Sequence, residues 1–521
     1  MTIPKRLIFS LISVLVITIL VEAAARVTER FLVSTEIDHQ DTGWQTAFFS
    51  RHFDWHQPDP ELLWRFRANL RTDYISTDGE GLIGEAVIRP RPDSVYRILL
   101  LGDSSPVGLG LPDYRQAFGH VLRDLLQGEF GDARRVDLAN AAVAGYSSEQ
   151  VRRWFELYAS EYQPNLIVVY VGNNDASISG TVTDAELLVS QKVTVLRTLL
   201  GKSATYRLLR LMLVSHADAT SADPNLLTVR VDPKRYARNI TEIVSASERR
   251  MVPVVVVKPI VPYLWPAGLQ FKVFERMRTG KGALLLPEPV RQILGRQVKY
   301  CIDWTDFNRR YGQADWYTRA VYGSAFSDDM SPGRAVEYYT GELESSPDDP
   351  VIINNIGVSL WEGGQLEAAR RYLDEAGVAF LKQHPPPHNP AENSAGAVFP
   401  YNSAVSWLGH VSESGTPADT SHAVDLLRRA LSNDYLSLRI KDEYNLALRE
   451  ELAAMAANNW IMVSLDSAFG RGADSPLGAE NMFIDHCHPV AEGHRRIAAT
   501  ILSELRQTGW LDSLQSKAGS P

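Results

Sequence analysis

Two short polar segments at opposite ends of the chain carry side chains that could act as a nucleophile and its base. Ser104 follows an apolar run in YRILLLGDSS, so it is expected at a strand-to-helix turn, where a serine hydroxyl is exposed for attack. Asp485 and His488 are three positions apart in DHCHP, so one loop could supply an imidazole and the carboxylate that orients it. These residue types predict a serine nucleophile activated by a histidine.

Two further loops hold groups that could stabilise a developing oxyanion. Gly145, in NAAVAGYSS, would let a backbone N–H approach a bound oxyanion, and the side-chain amide of Asn174, in GNND, could donate to the same oxygen. Each segment taken singly is equally typical of a turn or of a helix start. It is their combination with Ser104 and His488 that predicts a site.

A metal site is the competing interpretation of the C-terminal histidines. Asp485, His486, His488 and His494 offer ligand types that zinc takes. His494 is, however, expected in the first turn of a helix, and no cysteine or histidine cluster elsewhere supplies further ligands. The sequence therefore predicts neither a metal nor another cofactor.

The elements that must position these residues alternate between strand and helix. Short apolar runs predict strands in YRILLLG, RRVDLAN, PNLIVVY, VPVVVV and WIMVSLD. Helices are predicted over 149–162, 232–249, 438–458 and 491–508. This alternation predicts a parallel sheet with helices on both faces. Because chemistry in such sheets collects at the carboxyl ends of the strands, the candidate residues are expected to meet there.

The order of GDSS, Gly145, GNND and DHCHP resembles the SGNH (GDSL-type) hydrolase superfamily. The resemblance covers three pieces, 95–175, 228–262 and 438–510, and implies a flavodoxin-like three-layer α/β/α fold. It also implies ester hydrolysis through an acyl-serine intermediate, with Ser104 as nucleophile, His488 as base and Asp485 as orienting acid. The oxyanion donors would be the N–H groups of Ser104 and Gly145 and the amide of Asn174.

The remaining residues divide the chain into five predicted segments. These are a signal anchor or signal peptide (1–30), a lead-in subdomain (31–94), the first part of the hydrolase core (95–262), an insertion (263–437) and the second part of the core (438–515).

Residues 331–435 of the insertion contain an internal repeat. A shift of 34 positions superposes Ala335 on Ala369 and Tyr339 on Leu373, the period of tetratricopeptide repeats. The segment NNIGVSLWEGGQLEAARRYLDEA resembles that family, which implies an all-α subdomain able to bind a protein partner. A generic helical hairpin that covers the sheet is the alternative.

The N-terminus predicts a membrane anchor. Between residues 7 and 25 the only charge is Glu22, and as a helix these 19 residues would reach about 28 Å, close to the hydrocarbon thickness of a bilayer. An uncleaved single-pass anchor would leave the catalytic part extracytoplasmic, either periplasmic or extracellular. Cleavage after the alanines at 23–25 would instead give a secreted protein.

Composition narrows the function further. The 521 residues carry a formal charge of −9, which argues against nucleic acid as a partner, and 45% of them are hydrophobic, as in globular proteins. Two cysteines, Cys301 and Cys487, are too few for a disulfide framework and are either free thiols or one bridge.

Three functions fit these features. The first is a membrane-anchored serine esterase that removes a short acyl group, such as acetyl, from a glycan or similar polymer. The second is an acyltransferase that uses the same triad to move the acyl group to a sugar hydroxyl. The third is a repeat scaffold whose hydrolase core is idle.

Overall fold

The computed structural model describes residues 5–34, 55–190, 203–205, 228–265, 331–383, 385, 393, 396–435, 438–472 and 477–511, apart from positions 60, 73, 181, 415 and 479 and the short stretches 436–437 and 456–458. The strands of its main sheet are β1 (Val95–Gly102), β2 (Arg135–Asn140), β3 (Leu166–Tyr170), β4 (Val254–Val257) and β5 (Trp460–Val463). The helices are α1 (Lys5–Ser34), α2 (Ser104–Val107), α3 (Phe118–Phe130), α4 (Ser148–Tyr162), α5 (Asp184–Ser190), α6 (Pro233–Glu248), α7 (Pro332–Ser345), α8 (Pro350–Glu362), α9 (Leu366–Gln383), α10 (Val398–Ser414), α11 (Pro417–Asn433), α12 (Asp442–Ala453) and α13 (Ala491–Gln507).

The main sheet is parallel throughout, as the alternation of strand and helix predicted. Its strands lie in the order β2-β1-β3-β4-β5, which is the order of flavodoxin-like doubly wound sheets. The register is continuous across the middle of the sheet: Leu99 of β1 pairs with Ile167 of β3, and Val256 of β4 pairs with Met462 of β5. The carboxyl ends of all these strands therefore point to one edge.

Helices cover both faces of the sheet, because successive side chains of a strand point to opposite sides. Leu99 and Leu101 of β1 pack into a core with α4, α6 and α12, whereas Ile98 and Leu100 pack into a second core with α3 and α13. Every residue of β1 is buried, which explains its largely apolar sequence; the exception is Arg97, whose buried guanidinium pairs with Asp137 at 2.9 Å.

Capping residues fix where several helices begin. Asp232 caps α6 by accepting the N–H of Arg235, and Pro233 occupies the first turn, where its missing N–H costs nothing. Ser147 caps α4, and Gln150 completes a capping box. The predicted helix over 438–458 begins later than expected, at Asp442. Residues 438–441 instead form a buried loop.

The described part of the lead-in segment packs onto the core. Strands His56–Asp59 and Leu63–Phe66 form an antiparallel pair, named here the lead-in hairpin. Further along, the backbone N–H of Ile83 donates to the carbonyl of Asn140 at the end of β2, at 2.9 Å. Residues 35–54 of the predicted lead-in subdomain lie outside the described residues.

The insertion contains the predicted helices, and each packs against the next in sequence, from α7 to α11. The positions that the 34-residue shift superposes, Ala335 with Ala369 and Tyr339 with Leu373, are buried. The identity of these helices as tetratricopeptide repeats stays a prediction. The insertion is packed on the core, since the Tyr401 hydroxyl of α10 donates to the carbonyl of Leu264 at 2.9 Å.

A helix does form at the N-terminus. It is α1, which has 30 residues, and its Glu22 accepts hydrogen bonds from the Ser203 hydroxyl and the Ala204 N–H at 2.7 and 2.8 Å. Among the residues that the structure describes, no helix is both long enough and apolar enough to cross a bilayer. The predicted membrane-spanning helix is thus not confirmed.

Candidate active site

Ser104 is the first residue of α2, directly after β1. Asp103 caps this helix by accepting the N–H of Ser105 at 3.0 Å. The turn needs glycine at position 102, because a Cβ there would lie 2.1 Å from the carbonyl oxygen of Tyr170 on β3. The hydroxyl of Ser104 is therefore held at the carboxyl edge of the sheet, where the sequence placed it.

The loop 485–488 brings the predicted acid and base to the serine. His488 Nε2 lies 2.7 Å from Ser104 Oγ, and His488 Nδ1 lies 2.6 Å from Asp485 Oδ2. The other carboxylate oxygen, Oδ1, accepts the backbone N–H groups of Cys487 and His488 at 2.9 Å each. These two bonds hold the carboxylate within its own loop, so that Oδ2 faces the imidazole. Residues 384 positions apart thus form a nucleophile, base and acid in contact.

Burial and charge act in opposite directions on the acid and the base. Burial alone raises the pKa of Asp485, but the neighbouring imidazoles of His488 and His486 and the hydrogen bonds that it accepts bring this pKa far below its usual range. Burial alone lowers the pKa of His488, but the carboxylate of Asp485 raises it above the ordinary value. Asp485 therefore stays ionised while His488 takes up a proton, as a serine-activating base requires.

The alternative metal site required Asp485, His486, His488 and His494 around one ion. The structure does not bring these four together. Nδ1 of His494 accepts the backbone N–H of Phe118 at 3.2 Å, and its ring stacks on the phenyl ring of that residue. His486 Nδ1 is 3.7 Å from Asp485 Oδ1. His494 thus joins α13 to α3 and is not a ligand candidate.

Among the described residues, the group with metal-ligand spacing is Asp485, Cys487 and His488. Both ring nitrogens of His488 already face partners, Asp485 and Ser104. Cys487 is a buried free thiol, and burial raises its pKa well above the usual value. The donor set therefore fits a catalytic triad and not a metal site.

The two predicted oxyanion loops are in contact with each other. Gly145 follows β2 with φ of +82°, a backbone conformation that favours glycine. The Asn174 side-chain amide donates to the carbonyl of Tyr146 at 3.0 Å, so one of its N–H groups holds it beside the Gly145 turn. A primary amide has a second N–H, which is free to donate elsewhere.

A second set of buried polar groups supports the nucleophile and was not predicted from the sequence. The Ser105 hydroxyl donates to the carbonyl of Cys487 at 3.2 Å and accepts from Asn173 at 3.4 Å. The carboxylate of Asp103 also accepts the N–H of Asn173, at 3.4 Å, and burial raises the pKa of Asp103 to about 6. These residues join the serine turn to the histidine loop. Their signal in the sequence was their place inside GDSS and GNND.

Two buried clusters hold the Gly145 turn and the start of α4 from behind. Arg230 pairs with Asp184 at 2.7 Å, and both side chains are at most 1% exposed. Asp175 accepts hydrogen bonds from the N–H and hydroxyl of Ser148, and burial raises the pKa of Asp175 to about 7. Neither Arg230 nor Asp184 belongs to a motif, so no sequence signal could have identified them.

The junction between the insertion and the second part of the core also reaches the site, through Asp434 on one side and residues 438–441 on the other. The backbone N–H of Ile440 donates to the Asn173 side chain at 3.2 Å. Arg439 pairs with Asp434 at 2.9 Å and donates to the carbonyl of Pro262 at 3.0 Å. Cys487 is a buried free thiol, and its predicted partner in a bridge, Cys301, lies outside the described residues.

Comparison with known proteins identifies the family of the domain that carries Ser104. Residues 98–260 match the family model described as GDSL-like Lipase/Acylhydrolase. Residues 98–260 thus form part of a domain of the GDSL type, in the SGNH hydrolase superfamily. Domains of this family belong to ester-hydrolysing enzymes, which is the enzyme class that the sequence predicted. The matched range of this SGNH domain includes Ser104, Gly145 and Asn174, whereas Asp485 and His488 lie beyond it.

Solved structures give weaker likenesses to this chain. A G-D-S-L family protein from Desulfitobacterium hafniense DCB-2 is 13% identical, with 32% of this chain and 59% of that chain covered and a TM-score of 0.18. TesA is 18% identical, with 32% and 61% covered and a TM-score of 0.19. The psychrotrophic esterase EstA from Pseudoalteromonas sp., inhibited by monoethylphosphonate, is 18% identical, with 31% and 58% covered and a TM-score of 0.19.

The chain thus spans about three fifths of the length of these structures. With TM-scores this low they add nothing to the assignment, which depends on residues 98–260. A comparison with curated protein sequences gives no match.

Proposed function

We propose that this protein is a serine esterase that cleaves a short acyl ester through an acyl-serine intermediate. The observation that carries the proposal is the hydrogen-bonded chain from Ser104 Oγ to His488 Nε2 and from His488 Nδ1 to Asp485, at 2.7 and 2.6 Å. An imidazole held between a hydroxyl and an ionised carboxylate can take the hydroxyl proton as the oxygen attacks.

In the first half of the reaction, Ser104 Oγ attacks the ester carbonyl carbon and its proton passes to His488 Nε2. The negative charge that develops on the carbonyl oxygen is stabilised by the N–H groups of Ser104 and Gly145 and by the second N–H of Asn174. The tetrahedral intermediate collapses when His488 gives the proton to the leaving alcohol. The products of this half are the alcohol and an acylated Ser104.

In the second half, a water molecule attacks the acyl carbon and His488 again accepts a proton. Collapse of the second intermediate returns that proton to Ser104 Oγ and releases the carboxylic acid. Asp485 remains ionised throughout and stabilises the imidazolium in both halves, as its strongly lowered pKa requires.

From the sequence alone, we also propose that residues 7–25 anchor the enzyme at the outer side of a membrane and that its substrate is an acylated envelope polymer. The support is the sequence of α1, whose stretch from residue 7 to 21 carries no charge. Carbonate extraction of membranes tests this: an anchored protein stays in the pellet, and deletion of residues 1–30 releases it. Recovery of the full chain in the carbonate supernatant would contradict the anchor.

Hydrolysis of p-nitrophenyl acetate tests the catalytic proposal. Ser104→Ala and His488→Ala should each reduce the rate to the level of the buffer, and EDTA should have no effect. The matched control is Ser503→Ala, which removes a half-buried hydroxyl of α13 that accepts the side-chain amide of Gln507 at 3.0 Å, and it should keep full activity. Activity that survives Ser104→Ala but disappears with EDTA would overturn the serine mechanism.

Product analysis then separates hydrolysis from transfer. With an acetylated glycan as donor, an esterase releases acetate at the same rate whether or not an acceptor sugar is present. Appearance of the acyl group on the added sugar, with loss of acetate release, would replace the esterase by an acyltransferase that uses the same triad.

A further inference from the structure

A side chain of the lead-in hairpin holds the peptide group that carries the Gly145 N–H. The side chain of Trp64, on the second strand of that hairpin, is buried, and its indole N–H donates to the carbonyl oxygen of Ala144 at 3.2 Å. This carbonyl and the Gly145 N–H belong to one planar peptide group, and in a trans peptide they point in opposite directions. Holding the carbonyl therefore sets the direction of the N–H.

The next peptide group of the same turn is held by a different side chain. Arg230 donates to the carbonyl of Gly145 at 2.8 Å, and its guanidinium lies 5.8 Å from the centre of the Trp64 ring. Arg230 is itself fixed by its buried pair with Asp184. The peptide groups on both sides of Gly145 are thus each bonded to one buried side chain.

The turn and the start of α4 in return hold the hairpin. The Tyr146 hydroxyl donates to the backbone carbonyl of Trp64 at 2.7 Å, and the Gln150 side chain donates to the carbonyl of Leu62 at 2.8 Å. The rings of Trp64 and Tyr146 also pack at a centroid distance of 6.0 Å. The indole is therefore fixed relative to the turn on which it acts.

We infer that Trp64 is a positioning residue of the oxyanion site and orients the Gly145 N–H toward the developing charge. The inference rests on the proposed esterase function. The hydrogen bond to the Ala144 carbonyl also polarises its peptide group, which makes the N–H at the other end a stronger donor. Trp64 lies 40 positions before Ser104 in the sequence. The lead-in hairpin thus contributes to catalysis without touching substrate.

The variant Trp64→Phe tests this role, because it keeps an aromatic ring in the core and removes only the indole N–H. We expect kcat for p-nitrophenyl acetate to fall about 10-fold with KM within twofold, less than the 100- to 1,000-fold loss typical of removing an oxyanion donor itself. The inhibition constant of a phenylboronic acid, which forms a tetrahedral adduct on Ser104, should rise by the same factor, since such adducts track transition-state binding.

The matched control is Trp154→Phe. Trp154 is 6% exposed, close to the 8% of Trp64, and packs in the same core against Tyr158 and Tyr162. It should keep wild-type kcat and boronate affinity, so a general effect of losing a buried indole would appear in both variants.

Three outcomes would overturn the inference: a Trp64→Phe enzyme with wild-type kcat, a loss of kcat without the rise in the boronate constant, or equal losses in both variants. Failure of the proposed function is distinguishable, because it would appear as full activity in Ser104→Ala.

If Trp64→Phe does not fold, Tyr146→Phe tests the same link by removing the hydroxyl that holds Trp64. It should lower kcat about threefold, below the loss of a full donor, and an unchanged kcat and boronate constant would then reject the inference.

Discussion

The catalytic core and the helical insertion are assembled in different ways. In the core, the site joins segments that are far apart in sequence: Ser104 contacts His488 over 384 positions, and the second strand of the lead-in hairpin reaches the turn after β2 over 80. In the insertion, each helix from α7 to α11 packs mainly on its sequence neighbour. The first kind of assembly can bring several polar groups to one point, and the second packs consecutive helices on one another.

This difference sets what a substitution should do in each region. Within the candidate site, loss of a triad or oxyanion group should change the rate of the chemical step, because these groups act on Ser104, on His488 or on the oxyanion. Inside the insertion, a lost contact should change stability and leave small-ester hydrolysis alone. The two regions meet where Arg439 pairs with Asp434 at the end of the insertion, next to Ile440, which donates to Asn173.

The largest effect short of removing the nucleophile or base is expected for Asp485→Asn. The amide cannot stabilise the imidazolium and imposes the wrong tautomer on His488, so kcat should fall about 10,000-fold. In the wild-type enzyme kcat/KM should rise with pH as His488 loses its proton, with a midpoint above the ordinary value of 6.5 because Asp485 raises the pKa of His488. Removing the charge should move that midpoint to lower pH.

Steady-state kinetics measured across a range of pH give both the loss of kcat and the shift of the kcat/KM midpoint. Asp466→Asn is the control, because Asp466 pairs with Lys258 at 2.8 Å away from the triad and should leave rate and midpoint unchanged. A profile of Asp485→Asn with the midpoint at the wild-type position would mean that the carboxylate does not set the pKa of His488.

A smaller loss is expected for Asn174→Ala, which removes one oxyanion donor. We expect kcat to fall 100- to 1,000-fold with little change in KM, because the lost bond forms fully only in the transition state. The steady-state kinetics of Asn174→Ala should be compared with those of a control variant, Asn459→Ala. The Asn459 amide also donates to a backbone carbonyl, that of Val252 at 3.1 Å, but at the amino edge of the sheet. Equal losses in the two variants would show that the carboxyl edge is not special.

The sequence predicted the parts of the site that lie in short contiguous patterns. Ser104 and Asn174 follow apolar strands, so the strand-end rule places them correctly, and the spacing of Asp485 and His488 predicts their contact. Trp64 and Arg230 were not predicted, because their roles depend on hydrogen bonds to backbone carbonyls, which accept from any residue that the fold brings near. Such contacts leave no periodicity or motif.

The start of helix α12 was also mispredicted because tertiary contacts leave no pattern in the sequence. The apolar periodicity predicted a helix starting at Leu438, but α12 begins at Asp442. The preceding residues form a loop because Arg439 and Lys441, both buried, donate to carbonyls and to Asp434 instead of facing solvent. A sequence pattern treats a lysine as exposed, and only the tertiary contacts reverse that assignment.

The smallest effect on activity is expected deep inside the insertion, at Gly357→Ala. A Cβ on Gly357 of α8 would lie 2.7 Å from the side chain of Leu373 on α9, which is fully buried, so the two helices must move apart. Such overpacking typically costs about 1 to 3 kcal/mol. Hydrogen exchange should accelerate in α8 and α9, while kcat for p-nitrophenyl acetate should stay within twofold of wild type.

Gly341→Ala is the matched control on α7, where an added Cβ meets nothing within 4 Å. Replacing an exposed helical glycine by alanine typically stabilises a helix by about 0.5 to 1 kcal/mol, so this variant should exchange no faster than wild type. If Gly357→Ala instead lowers kcat about 10-fold while the chain remains folded, an effect the size of a mispositioned oxyanion donor, strain in the helices is transmitted to Asn173 through the contacts of Arg439 and Ile440. The insertion would then be part of the catalytic machinery and the two regions would not be separable.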